Sequence, residues 1–299
     1  IICHRNYFYQ KCFTADGTKL IFGGAFEGHW NYYLLDLTTS TARQLTEGPG
    51  DNTFGGFLSA DDRYLWYVKH NRELRRVCLA SGEERVVYEV DDAWVAYGTW
   101  VANSDDSRLV GVEIKKSDWQ PLTDWQKFRA FYFTNPTCRL ISIDLVTGER
   151  TTLLEEKRWL GHPIWRPFDD HTVAFCHEGP GDAIDARMWL INADGTQVRK
   201  VRQHAEGESF THEFWVPDGS ALFYVAHKEG SPHRYLCAAD PVTLENRELM
   251  TIPPCSHLMS NHDGSRVVGD GAPHKTGAID LNDPFIWVFD VQRGSQTAV

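Results

Sequence analysis

Methionine is scarce in this 299-residue chain, with three in all, and no run of about 18 apolar residues occurs anywhere. The longest apolar stretches, such as 221–226, are the size of a strand, so a membrane-spanning helix is excluded. Basic residues are outnumbered, 30 Lys and Arg against 41 Asp and Glu, for a formal net charge of -11. That balance gives the whole molecule no electrostatic footprint for nucleic acid or an anionic membrane, although a local basic pocket stays open. The seven cysteines are odd in number, widely scattered and without any Cys-x-x-Cys pair. They argue against a disulfide framework or a zinc ribbon and read as reduced core thiols of a cytoplasmic protein. No charged-then-apolar leader follows Ile1. Gly-x-Ser-x-Gly, a phosphate-cradling loop ending in Lys-Ser or Lys-Thr, and His-Glu-x-x-His are all missing, which removes three common hydrolytic and nucleotide chemistries.

What the chain does contain is 24 glycines and 13% aromatic residues, a balance that favours short strands and turns. An Asp-led turn followed four positions on by a hydrophobic residue recurs six times, at Asp16, Asp61, Asp105, Asp169, Asp218 and Asp263. The spacings are 45, 44, 64, 49 and 45 residues. Behind the turns lie further hairpins, as in 139–145 and 150–154 around Thr147-Gly148. About four strands per 45-residue unit is the content of one blade, so the fold expected over residues 1–299 is an all-β, single-domain β-propeller. The long third interval marks an insertion over 113–137, rich in Lys115, Lys116, Trp119, Trp125, Lys127 and Arg129. Thr123 reads as an N-cap with Asp124 in an acidic first turn, and Pro136 ends the segment, so a short helix is expected there, as packing or as a lid over an anionic sugar.

In a propeller, residues at equal phase on the innermost strands ring a central channel. Counting six back from each turn Asp gives Gln10, Gly55, Thr99, Pro163, His212 and His257, with His162 one residue out of step. One inner-strand histidine is more often a satisfied structural group. Two in phase on adjacent blades suggest a site, and imidazoles are the commonest transition-metal ligands, manganese among them. Arg187 closes a Gly- and Pro-containing loop over 177–187, expected to be exposed, from which a guanidinium reaches a carboxylate; a surface ion pair with Asp182 or Asp185 is the competing account. A weaker candidate is the 269–283 loop with His274 and Lys275. Gln10 and Lys11, His162, Trp165 and Arg166 read as structural, and Trp100, Trp165 and Trp215 as core. Histidine and arginine with a metal suit proton abstraction beside a carboxylate.

Three stretches carry a family resemblance: the opening His4 to Lys11, the run from Thr123-Asp124-Trp125 to Pro136-Thr137-Cys138-Arg139-Leu140, and His212-Glu213-Phe214-Trp215. With a likeness along essentially the whole chain, the sequence resembles the oligogalacturonate lyases. That resemblance implies a cytoplasmic seven-bladed propeller of pectin breakdown. Its substrate would be a small anionic oligosaccharide, chiefly a digalacturonate, split by β-elimination to 5-keto-4-deoxyuronate. It further implies His212 as the base, Arg187 as the charge-neutralising group and His257 as a ligand of Mn2+ or another divalent ion. The family completes its metal site with a Gln-x-x-His-x-His cluster that this sequence lacks. The expectation is therefore a propeller truncated at both ends, its seventh blade incomplete, and a chain that binds metal poorly and is inactive alone. The rival reading is a non-catalytic binding or scaffold propeller of the periplasmic-assembly or peptidase-gating kind, and a third keeps the mechanism but changes the sugar acid. Protein partners, oligomeric state and preferred chain length are not legible.

Overall fold

The computed structural model describes residues 2–4, 7–26, 28–52, 55–271 and 285–298. Twenty-four strands and one helix make up these residues, and the strands form six four-stranded antiparallel sheets in which each strand pairs with its neighbours in sequence. The sheets cover 2–44, 57–89, 94–156, 160–200, 208–252 and 255–298, each a blade-sized meander. Each Asp turn lies between the first and second strands of one sheet, which is why six turns correspond to six sheets; of the seven blades expected, six stand among the described residues.

The turns have a common chemistry. In all six, the Asp carboxylate accepts a hydrogen bond from the backbone N–H two residues on, at 2.8–3.1 Å: Thr18, Arg63, Ser107, His171, Ser220 and Ser265 donate. In five of them the residue after the Asp is left-handed, namely Gly17, Asp62, Asp106, Gly219 and Gly264. Glycine adopts that conformation without strain and Asp tolerates it, which accounts for Asp-Gly and Asp-Asp at these points. The fourth turn departs from this: there Phe168, ahead of Asp169, takes the positive φ.

The chain forms two compact units, Ile1–Trp165 with Ala193–Thr196, and Arg166–Asn192 with Gln197–Val299. Within the first, one core packs Ile21, Tyr32, Leu58, Leu65 and Tyr67, and another joins Phe57, Trp66, Trp100, Leu109 and Ile141. Trp100 is fully buried because Gly111 opposite it has no side chain; a Cβ there would lie 2.5 Å from the indole. Trp165 and Trp215 are buried too, in keeping with a core role. In the second unit the buried Phe214 and Trp215 pair with Phe223 and Leu222 in a strand buried continuously from Leu222 to Ala226.

The insertion folds as the helix Trp125–Phe133. Its N-cap is Asp124 rather than Thr123: Asp124 accepts from the Lys127 N–H at 2.8 Å while Thr123 donates to Asp124, so the stronger acceptor moves the cap by one residue and leaves no acid in the first turn. Phe131 is buried, whereas Trp125 is largely exposed.

Candidate active site

The second unit brings together two of the histidines picked out by phase. His212 lies in the strand Glu208–Trp215 and His257 in Cys255–Ser260, the first strands of consecutive sheets, and their rings meet edge to face with centroids 4.7 Å apart. Both stand in β-bulges. Pairing of Glu208–Trp215 with Leu222–Lys228 shifts between Thr211 and Phe214, and pairing of Cys255–Ser260 with Arg266–Gly271 shifts between Cys255 and Leu258. A bulge re-aims a side chain that the regular pleat would send elsewhere. His212 has φ +54°, a left-handed conformation costly for most residues and less so for histidine, which marks a place where backbone strain is held by the surrounding sheet.

Each histidine has a partner that orients its ring. Thr211 Oγ1 lies 3.0 Å from His212 Nδ1. Asp270, on the neighbouring strand, grips His257 twice: one carboxylate oxygen accepts the His257 backbone N–H at 2.7 Å, and the other lies 2.8 Å from Nδ1. A carboxylate on Nδ1 holds the proton there and places the imidazole lone pair on Nε2, the arrangement found behind metal-ligating histidines.

Arg187 departs from its expected setting. The 177–187 loop is mostly buried rather than exposed, and Gly181 lets it lie against the strand Glu208–Trp215, since a Cβ there would meet Ser209 Cβ at 2.8 Å. Arg187 itself is 5% exposed and pairs with the buried carboxylates of Glu178 and Glu213. Its Nε donates to Glu213 at 2.9 Å, its Nη2 to the other Glu213 oxygen at 3.3 Å, and its Nη1 to Glu178 at 3.3 Å. Burial opposes the cation, but Cys176, Glu213 and Glu178 more than offset it and hold its pKa well above the ordinary value. Cys176 donates to Glu178 at 3.7 Å, and burial pushes its thiol well up. Because Glu213 follows His212 in the chain, the guanidinium is fastened to the backbone that carries His212.

Three of the residues read as structural have main-chain partners. Gln10 donates to the Trp100 carbonyl at 3.3 Å, and Lys11 to the carbonyls of Ser59 and Ala60 with an ion pair to Asp62. Arg166 donates to the Gly219 carbonyl at 2.8 Å. His274 and Lys275 lie outside the described residues. Sequence reasoning missed Glu178, Glu213 and Asp270; the signal for Glu213 was a carboxylate directly before the apolar Phe214-Trp215 pair. It also missed His204, whose ring packs on Phe210 with centroids 4.4 Å apart and whose two nitrogens find no hydrogen-bond partner. Burial, then the Arg187 cation, push its pKa down to about 4.

A family model described as oligogalacturonate lyase matches residues 1–299. The chain belongs to the oligogalacturonate lyase family. It is 64% identical over 305 residues to the oligogalacturonate lyase of Dickeya dadantii (strain 3937), covering all of this chain and 79% of that protein. A solved structure of an oligogalacturonate lyase in complex with manganese superposes with a TM-score of 0.94 at 66% identity, covering 99% of this chain and 77% of that one. The lyase family's β-propeller is thus the fold of this chain. TolB from Acinetobacter baumannii, at 12% identity and a TM-score of 0.58, shares the fold alone.

Proposed function

We propose that this chain is an oligogalacturonate lyase in which His212 removes the C5 proton of a galacturonate ring and the C4–oxygen bond then breaks. The observation that carries this reading is the meeting of His212 and His257 at 4.7 Å in consecutive bulged strands of a chain 64% identical to a lyase of that name. For Nε2 of His212 to act as the base, Nδ1 donates its proton to Thr211 Oγ1, which lies within hydrogen-bond distance. Removing the C5 proton leaves charge on the adjacent carboxylate as an enolate, so a cation nearby lowers the barrier. Arg187 is the charge-neutralising group in this reading, its plane fixed by Glu213 and Glu178 beside the base. Elimination then expels the glycosidic oxygen and opens the way to 5-keto-4-deoxyuronate.

His257 fits a divalent metal as one imidazole ligand, because Asp270 fixes its Nδ1 in the manner of a carboxylate behind a ligating histidine. A manganese ion bound there would polarise the uronate carboxylate as a Lewis acid. A seven-bladed ring and a reducing, cytoplasmic setting belong to the same reading; six described cysteines are free thiols, which suits such a setting. The substrate remains a small anionic oligosaccharide.

The test is the mass balance of the products, made on a protein of the relatives' full length, because the 299 residues, which lack the Gln-x-x-His-x-His cluster, are expected to bind metal poorly and to be inactive alone. Digalacturonate treated with the protein should give fragments that together weigh no more than the substrate, with ultraviolet absorbance from the unsaturated uronate, and His212→Ala should reduce the rate at least a thousandfold. Fragments heavier by one water would show hydrolysis and overturn the reading.

A further inference from the structure

The first unit holds a cavity of about 520 Å³, within the range of small-molecule sites, that the proposed chemistry does not use. One part of its lining comes from the insertion: Trp119, Pro121, Leu122, Thr123 and Phe128. Tyr97 continues the aromatic part, its ring centroid 5.8 Å from that of Trp119. The other part is polar, with Asn52, Asn71, Thr99 and His162. Asn52 donates to the Gly98 carbonyl at 2.9 Å, and Tyr7 OH lies 3.4 Å from His162 Nε2, so these groups are held in place. Gly98 and His162 both have positive φ, +65° and +48°, as His212 has in its own strand, and a Cβ on Gly98 would meet nothing within 4 Å.

The lining resolves what the insertion is for. Its basic residues do not face the cavity: Lys127 is tied to Thr123 and Asp124, and Arg129 lies over Phe133. Two of its aromatic residues, Trp119 and Phe128, do. An aromatic surface opposite donors and acceptors is the chemistry that binds a pyranose, whose C–H face stacks on a ring while its hydroxyls find amides and hydroxyls. The galacto configuration sets C3–H, C4–H and C5–H on one face, which suits an indole. Among the described residues no Asp or Glu lines the cavity, so none of them repels a uronate there.

We infer that this cavity is a binding site for a galacturonate ring, with Trp119 as the stacking platform and the insertion as its wall. The identity of the sugar rests on the lyase reading; the class of ligand, a pyranose, rests on the lining. Trp119→Phe and Leu122→Trp test it, the first thinning the platform and the second filling the cavity from a half-buried position without removing a contact.

Tryptophan fluorescence titrated with galacturonic acid reads binding without turnover, and turnover of trigalacturonate by the wild type is measured beside it to test the lyase reading separately; unchanged melting temperatures certify both variants as folded. The expected result is a fluorescence response that is lost in Leu122→Trp and weakened in Trp119→Phe. Normal wild-type turnover with the fluorescence response unmoved in both variants overturns the cavity site and leaves the lyase reading standing. Binding that the variants abolish, in a wild type with no turnover of any oligogalacturonate, supports the cavity and overturns the lyase reading.

Discussion

Arg187 illustrates how a residue's neighbours redefine it. A guanidinium at the end of a Gly- and Pro-containing loop reads as a surface group, but the loop folds inward and the cation is buried against two carboxylates. Such a pair is costly to break from one side, because the remaining charge is left without compensation in a poorly solvated place, and one-sided removal costs about 3 kcal/mol or more. Glu213→Gln keeps the shape and removes one of the two anions. We predict a loss of stability on the order of 2–3 kcal/mol, read as a lower denaturant midpoint at an unchanged slope, together with a fall in turnover as His212 loses its fixed neighbour. An unaltered midpoint would show that Glu178 alone compensates Arg187. His212 and His257 were legible because a repeating backbone carries them to the same height. Glu213 and Asp270 were not, since their roles depend on which side chain the bulge turns toward them, and that is a matter of register.

At the scale of elements, the six Asp turns were legible in place, and five of them in detail, because their chemistry is local: a carboxylate, the N–H two residues on, and a following residue able to take a positive φ, the fourth turn instead placing that φ on Phe168. The insertion helix was legible to within one residue at its cap, while its cover over a cavity was not, since that depends on which helix face meets the sheet. The turns also set an acid limit. Hydrogen bonds from Thr14 and Thr18 hold the Asp16 carboxyl down at about 2 from 3.8, and the other five turn aspartates shift the same way. Folded, these groups bind a proton less readily than unfolded. Their contribution is therefore complete above pH 3.8 and is lost as pH falls toward about 2. Melting temperature should decline through that window, and Asp16→Asn should make the decline shallower. A variant with the wild-type acid profile would remove Asp16 from this account.

For the whole molecule, the fold by itself says little about chemistry: TolB shares it at 12% identity, and a binding propeller would show the same sheets. Nor does the overall charge help, since a net -11 repels rather than steers an anionic sugar, and attraction has to come from a local arrangement of donors and cations. What separates a lyase from a scaffold is the paired bulges with their two histidines, each held by its own partner. The most direct measurement, on a protein of the relatives' full length because the 299 residues alone are expected to be inactive, is ultraviolet absorbance of the unsaturated uronate formed from digalacturonate, followed for wild type and His212→Ala, with manganese and with chelator. The account predicts a rate that manganese raises, that chelator abolishes and that His212→Ala does not show under any condition. Wild-type absorbance persisting in His212→Ala would contradict it.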